Sequence, residues 1–325
     1  MDARITKSRL ANLFSYDWLK IIAAILAVVF LLIVFFTTIK TRARSEQEFI
    51  VYAYSTTKSV SGGDADMTLL SGEDTSTFAD DLLGSGALSY DVLSVEFENF
   101  GSDQYSETLF SSRRMAGLGT VMLASDYISP DKDPEETELV STLDLLFSSM
   151  TDNFAYDTVE FLADCEEYLV RFFGEDWKTG ALNEEEAEAC FLARNEEDNR
   201  YHLASQKKQG IEDEKARLEK LREDYIFVTE TCFGSGVFEH TEVTLLDDEG
   251  EETSGTYAVN IGALPSLHKL VYHNETRTDS EGNEQYVRSG EDICLIIFKN
   301  PDRLESDLRF ETISFLRYLY EEYGA

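Results

Sequence analysis

Along the chain, one long apolar block comes first, followed by short segments in which apolar and polar positions alternate or recur at helical spacing. The block is residues 21–39, IIAAILAVVFLLIVFFTTI, without charge, glycine or proline. At about 1.5 Å per residue, a helix of this length spans roughly 28 Å, close to a bilayer's hydrocarbon thickness. A buried helix of a soluble domain keeps a polar face over five turns, and a secretory h-region runs to about 7–15 residues. The pattern therefore predicts a retained transmembrane helix, a signal-anchor, with residues 1–20 as a tail and 45–325 as the body.

In the body, β-branched and aromatic runs predict strands over 48–54, 90–98 and 120–124. Residues 55–74 read as loop or short helix, and 84–86 as a turn. Between the second and third strands, Tyr105, Leu109 and Ala116 recur at helical spacing and Gly117 stops the run. An almost wholly apolar strand after an amphipathic helix predicts a β-α-β unit with both sheet faces covered. Two helices with clear starts follow. Asp133, Pro134 and Glu136 supply a cap, a first-turn proline and a capping-box glutamate ahead of Leu139, Leu143, Leu146 and Met150. Asp157 with Glu160 does the same ahead of Leu162, Cys165, Leu169 and Phe172, and Gly174 ends that helix.

Residues 183–224 are charged and helical, with Asn183 and Glu186 as cap and Gly210 as a break. Ile211, Leu218, Leu221 and Tyr225 make a thin apolar stripe, and Asp213 with Arg217 an i,i+4 pair. The stripe is too short for sustained heptads, which predicts a solvated helix lying on the domain rather than a coiled coil. Strands are predicted over 225–231, 238–246, 255–261, 269–276, 284–288 and 293–299, with turns at 247–250 and 280–283. Residues 302–323 close the chain as a helix with Ile313, Leu316, Tyr320 and Tyr323 on one stripe. The expected class is α/β, with a helical region 133–224 inserted between sheet-forming parts 45–130 and 225–325.

Charge orients the anchor. The chain carries a net −35, yet residues 1–44 hold seven basic and two acidic groups, so the body alone carries −40. Such a surface is repelled by nucleic acid and by anionic headgroups, which argues against nucleic-acid partners and for an extracytoplasmic body with a cytoplasmic N-terminus. Lys/Arg counts barely separate the flanks of the block, but a short N-terminal tail is easily held inside. A chain that is 43% hydrophobic and 12% aromatic has ample material for a core.

Chemistry is harder to find. Cys165, Cys190, Cys232 and Cys294 are widely spaced; outside a cell they could pair in three ways, and each equally suits a buried thiol. The four His are not at ligand spacing, so no metal or cofactor is expected. Nucleophile-elbow, P-loop, dinucleotide and H-E-x-x-H motifs are missing, and residues 247–252 lack the ligand alternation of a calcium loop. Asn274, Glu275 and Thr276 match the glycosylation sequon, a short and common pattern. The sequence points away from an enzyme.

Three stretches carry a resemblance. Residues 92–97 (VLSVEF), 105–109 (YSETL), 115–117 (MAG) and 121–126 (VMLASD) resemble a segment of extracellular solute-binding proteins that serve carbohydrate ABC importers. Residues 255–262 (GTYAVNIG) with 270–274 (LVYHN), and 296–300 (IIFKN) with 313–319 (ISFLRYL), are similar to later segments of that family. The chain departs at Asn260, where the family usually carries proline, and is shorter than a two-lobed receptor. The resemblance thus implies a periplasmic-binding-protein-like three-layer domain with a mixed sheet and a reduced second lobe, in a degenerate or single-lobed, membrane-anchored relative. It implies a sugar or oligosaccharide ligand and ABC-transporter permease partners. Its cleft residues would be Ser55, Thr56, Asp126, Tyr127 and Tyr257, the first four at strand carboxyl ends where open α/β sheets hold ligands. The rival expectation is a non-catalytic protein-protein interaction or scaffold domain at the cell surface.

Overall fold

A computed structural model describes residues 22–23, 25–32, 43–55, 68–69, 72–101, 104–128, 141–149, 154–196, 198–246, 252–278, 284–299 and 306–325. Met1–Arg42 and Ala43–Ala325 are separate units. In the first, residues 22–23 and 25–32 are helical, and apolar side chains such as Leu26, Phe30 and Leu31 are exposed. The rest of the 21–39 block lies outside the described residues, and among the described residues no helix is long and apolar enough to cross a membrane.

The body is built on a mixed six-stranded sheet. Its strands are β1 (Glu48–Ser55), β3 (Ser94–Gly101), β4 (Val121–Ser125), β5 (Glu239–Leu246), β6 (Glu252–Asn260) and β9 (Ile293–Ile297), in the spatial order β3-β1-β4-β9-β6-β5. β1 is parallel to both β3 and β4, whereas β9 is antiparallel to β4 and to β6, so β4 and β6 run the same way. β2 (Thr68–Leu69), β7 (Val271–Thr278) and β8 (Glu284–Ser289) form a second, three-stranded sheet. Every residue of β4 and β9 is buried, as near-continuous apolar runs in central strands require.

Successive side chains on β1 feed two cores. Phe49, Val51 and Ala53 join one, with α1 (Gly72–Gly84), α4 (Thr158–Phe173), α6 (Ala204–Ile226) and α7 (Glu311–Tyr323) packed over it. Ile50, Tyr52 and Tyr54 join the other, under α2 (Gln104–Met115) and α3 (Thr142–Ser149). The result is three layers, helices on both faces of the sheet. α5 (Glu184–Arg194) packs against α6. The four cysteines are free thiols; Cys190 is half-buried and the others fully buried.

Helix starts follow their caps. The Asn183 side chain accepts from the Glu186 amide. Asp157 Oδ1 accepts from the Val159 and Glu160 amides, while Oδ2 accepts from the Thr256 amide and hydroxyl, both at 2.9 Å. One carboxylate thereby caps α4 and fastens it to β6. Burial alone raises its pKa, but these hydrogen bonds outweigh that and hold it below the usual range. Asp157→Ala is expected to cost about 1–2 kcal/mol in urea unfolding, and a loss indistinguishable from zero would remove the cap from the account.

Several expectations need correction. The helix between β3 and β4 exposes the Tyr105, Leu109 and Ala116 stripe and buries Phe110 instead, whose ring lies 5.3 to 5.9 Å from those of Phe100, Phe298 and Tyr52. An aromatic cluster of that kind outweighs a mixed tyrosine–leucine–alanine stripe. Gly210 does not break α6: a Cβ there would come within 2.3 Å of the Phe191 ring, so the glycine admits α5 at close range. Residues 225–231 are not a strand; α6 runs on as a π-helix over Phe227–Phe233, burying Tyr225, Val228 and Cys232 on one face. The second strand begins at Ser94 rather than at 90, because Tyr90 and Asp91 form a turn. Arg217 pairs with Glu214 and Glu311, not with Asp213. The expected cap at Asp133 and the turns at 247–250 and 280–283 lie outside the described residues.

Candidate functional site

The chain leaves β1 through α1 on one face of the sheet and leaves β3 through α2 on the other, with β3 and β4 on opposite sides of β1. This is a topological switch point, and the crevice beyond the carboxyl ends of β1 and β4 is where such sheets hold ligands. Ser55 ends β1 there; its side chain and Thr56 lie outside the described residues. Asp126 and Tyr127 follow β4 at the same rim.

At that rim Ser125 is fully buried, and its Oγ lies 3.3 Å from His273 Nδ1 while accepting the Tyr127 amide. The Tyr127 and His273 rings stack at 4.2 Å and 15°. His273 comes from β7, so the small sheet roots itself on the carboxyl end of β4. The Asp126 amide donates to the Asp292 carbonyl at 2.8 Å. Burial pushes the Asp126 carboxyl up, Asp144 and Asp292 add to the rise, and a hydrogen bond to Ser141 opposes it. The Cys294 thiol beneath is pushed up to about 12 by burial, which leaves it inert as a nucleophile.

Beside these residues, at the carboxyl end of β6, opens a cleft of about 270 Å³ lined by Gly236, Val237, Glu239, Asn260, Gly262, Ala263, Glu291 and Asp292. Its floor depends on close backbone approach. A Cβ on Gly262 would meet the Asp292 amide at 2.4 Å, and the Asn260 side chain accepts the Gly262 amide at 2.8 Å. Asp292 holds a left-handed φ of 56°, a conformation that aspartate tolerates better than most residues and that turns the chain into β9. The lining is rich in oxygen acceptors: three carboxylates and one amide.

Tyr257 does not join this group. It precedes the carboxyl end of β6 by three residues, is nearly fully buried, and its ring packs on Phe147 in the core under α3. Its side chain belongs to the aromatic core rather than to the cleft lining. Nothing in the sequence pattern marks His273, Asn260, Gly262, Glu239, Glu291 and Asp292 as site residues. Asn260 stands out only as a departure from proline.

A second cleft of about 440 Å³ lies between α6, α7 and residues 85–87. Its floor is Asp224, fully buried and already satisfied by Ser314 Oγ at 2.6 Å, Arg317 Nη1 at 2.9 Å and Lys220. That is a structural ion cluster tying two helices together, away from the strand ends. Among the described residues no group of three His, Cys, Asp or Glu side chains could hold a metal.

No protein-family model matches the chain, and neither the curated proteins nor the solved structures contain a match to it.

Proposed function

We propose that the body is a non-catalytic, solute-binding domain of periplasmic-binding-protein-like ancestry, held on the outer face of a cell membrane by residues 21–39. What supports it most is the acceptor-lined cleft at the carboxyl end of β6, on the same edge of the sheet as the switch point and separated from β4 by β9. Glu239, Asn260, Glu291 and Asp292 offer oxygens that a polyhydroxylated solute satisfies with its hydroxyl donors, which agrees with a carbohydrate delivered to, or sensed for, an ABC importer. The cysteine thiols pushed up by burial, and the complete burial of the Ser125–His273 pair away from solvent, suit binding rather than catalysis.

The test is thermal unfolding of the full chain in detergent against a panel of mono- and oligosaccharides. A ligand at 100 times its dissociation constant adds about 2.7 kcal/mol, a rise of about 5 °C for a domain of this size. Asp292→Asn keeps the left-handed turn and is expected to abolish the rise while leaving the ligand-free midpoint in place. No shift with any sugar, from a cooperatively unfolding sample, would reject the solute site.

A second reading, recognition of a partner protein such as a permease subunit, draws on α2. Tyr105, Leu109 and Met115 stand on that helix with Tyr105 76% and Met115 85% exposed, an apolar surface of the kind protein partners cover.

A further inference from the structure

The three-stranded sheet meets the main sheet through an unusual residue. His273 sits at the root of the β7–β8 hairpin, opposite Ser289, and is fully buried. One face of its ring is stacked on Tyr127, Nδ1 is within 3.3 Å of Ser125 Oγ, and Nε2 is buried without a hydrogen-bond partner. Farther out, β7 and β8 pair up to Thr278 and Glu284, and Arg277, Gln285 and Arg288 are on the paired strands beyond the root, so the hairpin is an arm with a buried base. Val271 and Leu270 belong to the core and anchor the first residues of β7 independently of the histidine.

A neutral imidazole tolerates this setting, because Nδ1 and the serine hydroxyl satisfy each other and one unmade bond is a limited cost. An imidazolium does not: it carries two N–H donors and a charge, and the second donor points to a place with no acceptor. We propose that His273 is an acid-released latch, whose protonation frees the β7–β8 arm from the carboxyl end of β4 and uncovers the switch-point rim. This goes beyond the solute reading and stands whether or not the rim binds a sugar.

The charged groups facing the ring bear on the sign. Glu275 and Arg277 come from β7 itself, and Glu291 and Asp292 from the turn before β9. The three carboxylates favour the imidazolium. Arg277 opposes it and already engages two of them, Glu275 at 2.8 Å and Glu291 at 3.2 Å. Burial outweighs the carboxylates, and the latched ring titrates below its ordinary value of 6.5. The released ring recovers that value and therefore binds more protons. The latch is accordingly fully closed above about pH 6.5 and weakens as pH falls below it, by up to about thirtyfold at pH 5.0 if the latched ring stays neutral.

Hydrogen exchange of the full chain in detergent, corrected for intrinsic rates, reads this directly. Between about pH 7.5 and 5.0, protection of residues 273–278 and 284–289 should fall about tenfold or more while α4 holds its protection as an internal reference. In His273→Gln, which cannot be protonated, the arm should show no acid-dependent loss. Should that variant not fold, Ser125→Ala keeps the imidazole and removes its partner, and its arm should already be less protected at the higher pH. A parental arm insensitive to pH overturns the proposal. So does an acid loss in His273→Gln equal to that of the parent, or a Ser125→Ala arm with parental protection at both pH values.

Discussion

An Arg217→Met variant is expected to unfold about 3–5 kcal/mol more easily than the parent, the cost of leaving buried charge uncompensated. Arg217 is buried in the middle of α6 and reaches four groups: Glu311 Oε1 through Nε at 3.0 Å, Glu214 Oε1 and the Tyr168 hydroxyl through Nη1 at 3.0 and 3.1 Å, and the Asp307 carbonyl through Nη2 at 2.8 Å. Those partners come from α7, α6 itself, α4 and the turn leading into α7. Glu214 in turn binds Arg194 of α5 and the Tyr90 hydroxyl, and Arg194 lies 3.1 Å from Asp91, which accepts from Gln47 Nε2. A chain of hydrogen bonds and ion pairs thus runs from Gln47, just before β1, through the helical layer. Burial alone raises the Glu214 carboxyl; the Arg217 and Arg194 guanidiniums outweigh it and hold it down at about 2. Methionine fills much of the arginine's volume but leaves Glu311 buried with a single amide contact from Ser89. Urea titration followed by fluorescence of the buried Trp177 gives the number. Partial recovery in Arg217→Met with Glu311→Leu would assign the loss to the stranded carboxylate, and a single-variant loss below about 1 kcal/mol would show that water already reaches the network.

Gly119→Ala is expected to cost about 2–5 kcal/mol, adding left-handed strain to overpacking. Gly119 has φ 110° just before β4, and a Cβ there would sit 2.7 Å from the Tyr52 ring and 2.8 Å from the Phe298 ring. Both rings belong to the aromatic cluster under α2, in which Tyr52 contacts Phe100, Phe110 and Phe298. Neither ring is the loose end of a flexible side chain, so the strain passes to β1 and β9. The same titration measures it. Relief in Gly119→Ala with Phe298→Leu would separate the packing cost from the backbone cost, whereas an unchanged midpoint in the single variant would contradict the geometry. Gly86, also at positive φ but with open space around its Cβ position, serves as the control, and its alanine variant should lose only the backbone share.

The long, strongly patterned pieces are legible along the chain. β1, β4 and β9 stand out as apolar runs, and Asp157, Asn183 and Gly174 mark helix ends by local hydrogen bonding that needs no distant partner. The rim position of Asp126 and Tyr127 is legible for the same reason: they follow the apolar strand of a β-α-β unit. Tyr257 eludes such a reading, because an alternating strand does not say which sheet face carries a ligand and which carries a core.

The sequence by itself determined the α/β class, the strands at the centre of the sheet, the caps, and the acidic character of the body, since each depends on composition or on contacts within a few residues. Only the tertiary structure decided that α2 buries Phe110 rather than its Tyr105 stripe, that Gly210 continues a helix, and that Phe227–Phe233 is a π-helix. Only it could bring His273 from β7 against Ser125, 148 positions earlier, and Arg217 against Glu311, 94 positions later. Such pairings are chosen by how whole layers pack, and a charged or aromatic side chain carries no mark along the chain of which distant group will satisfy it.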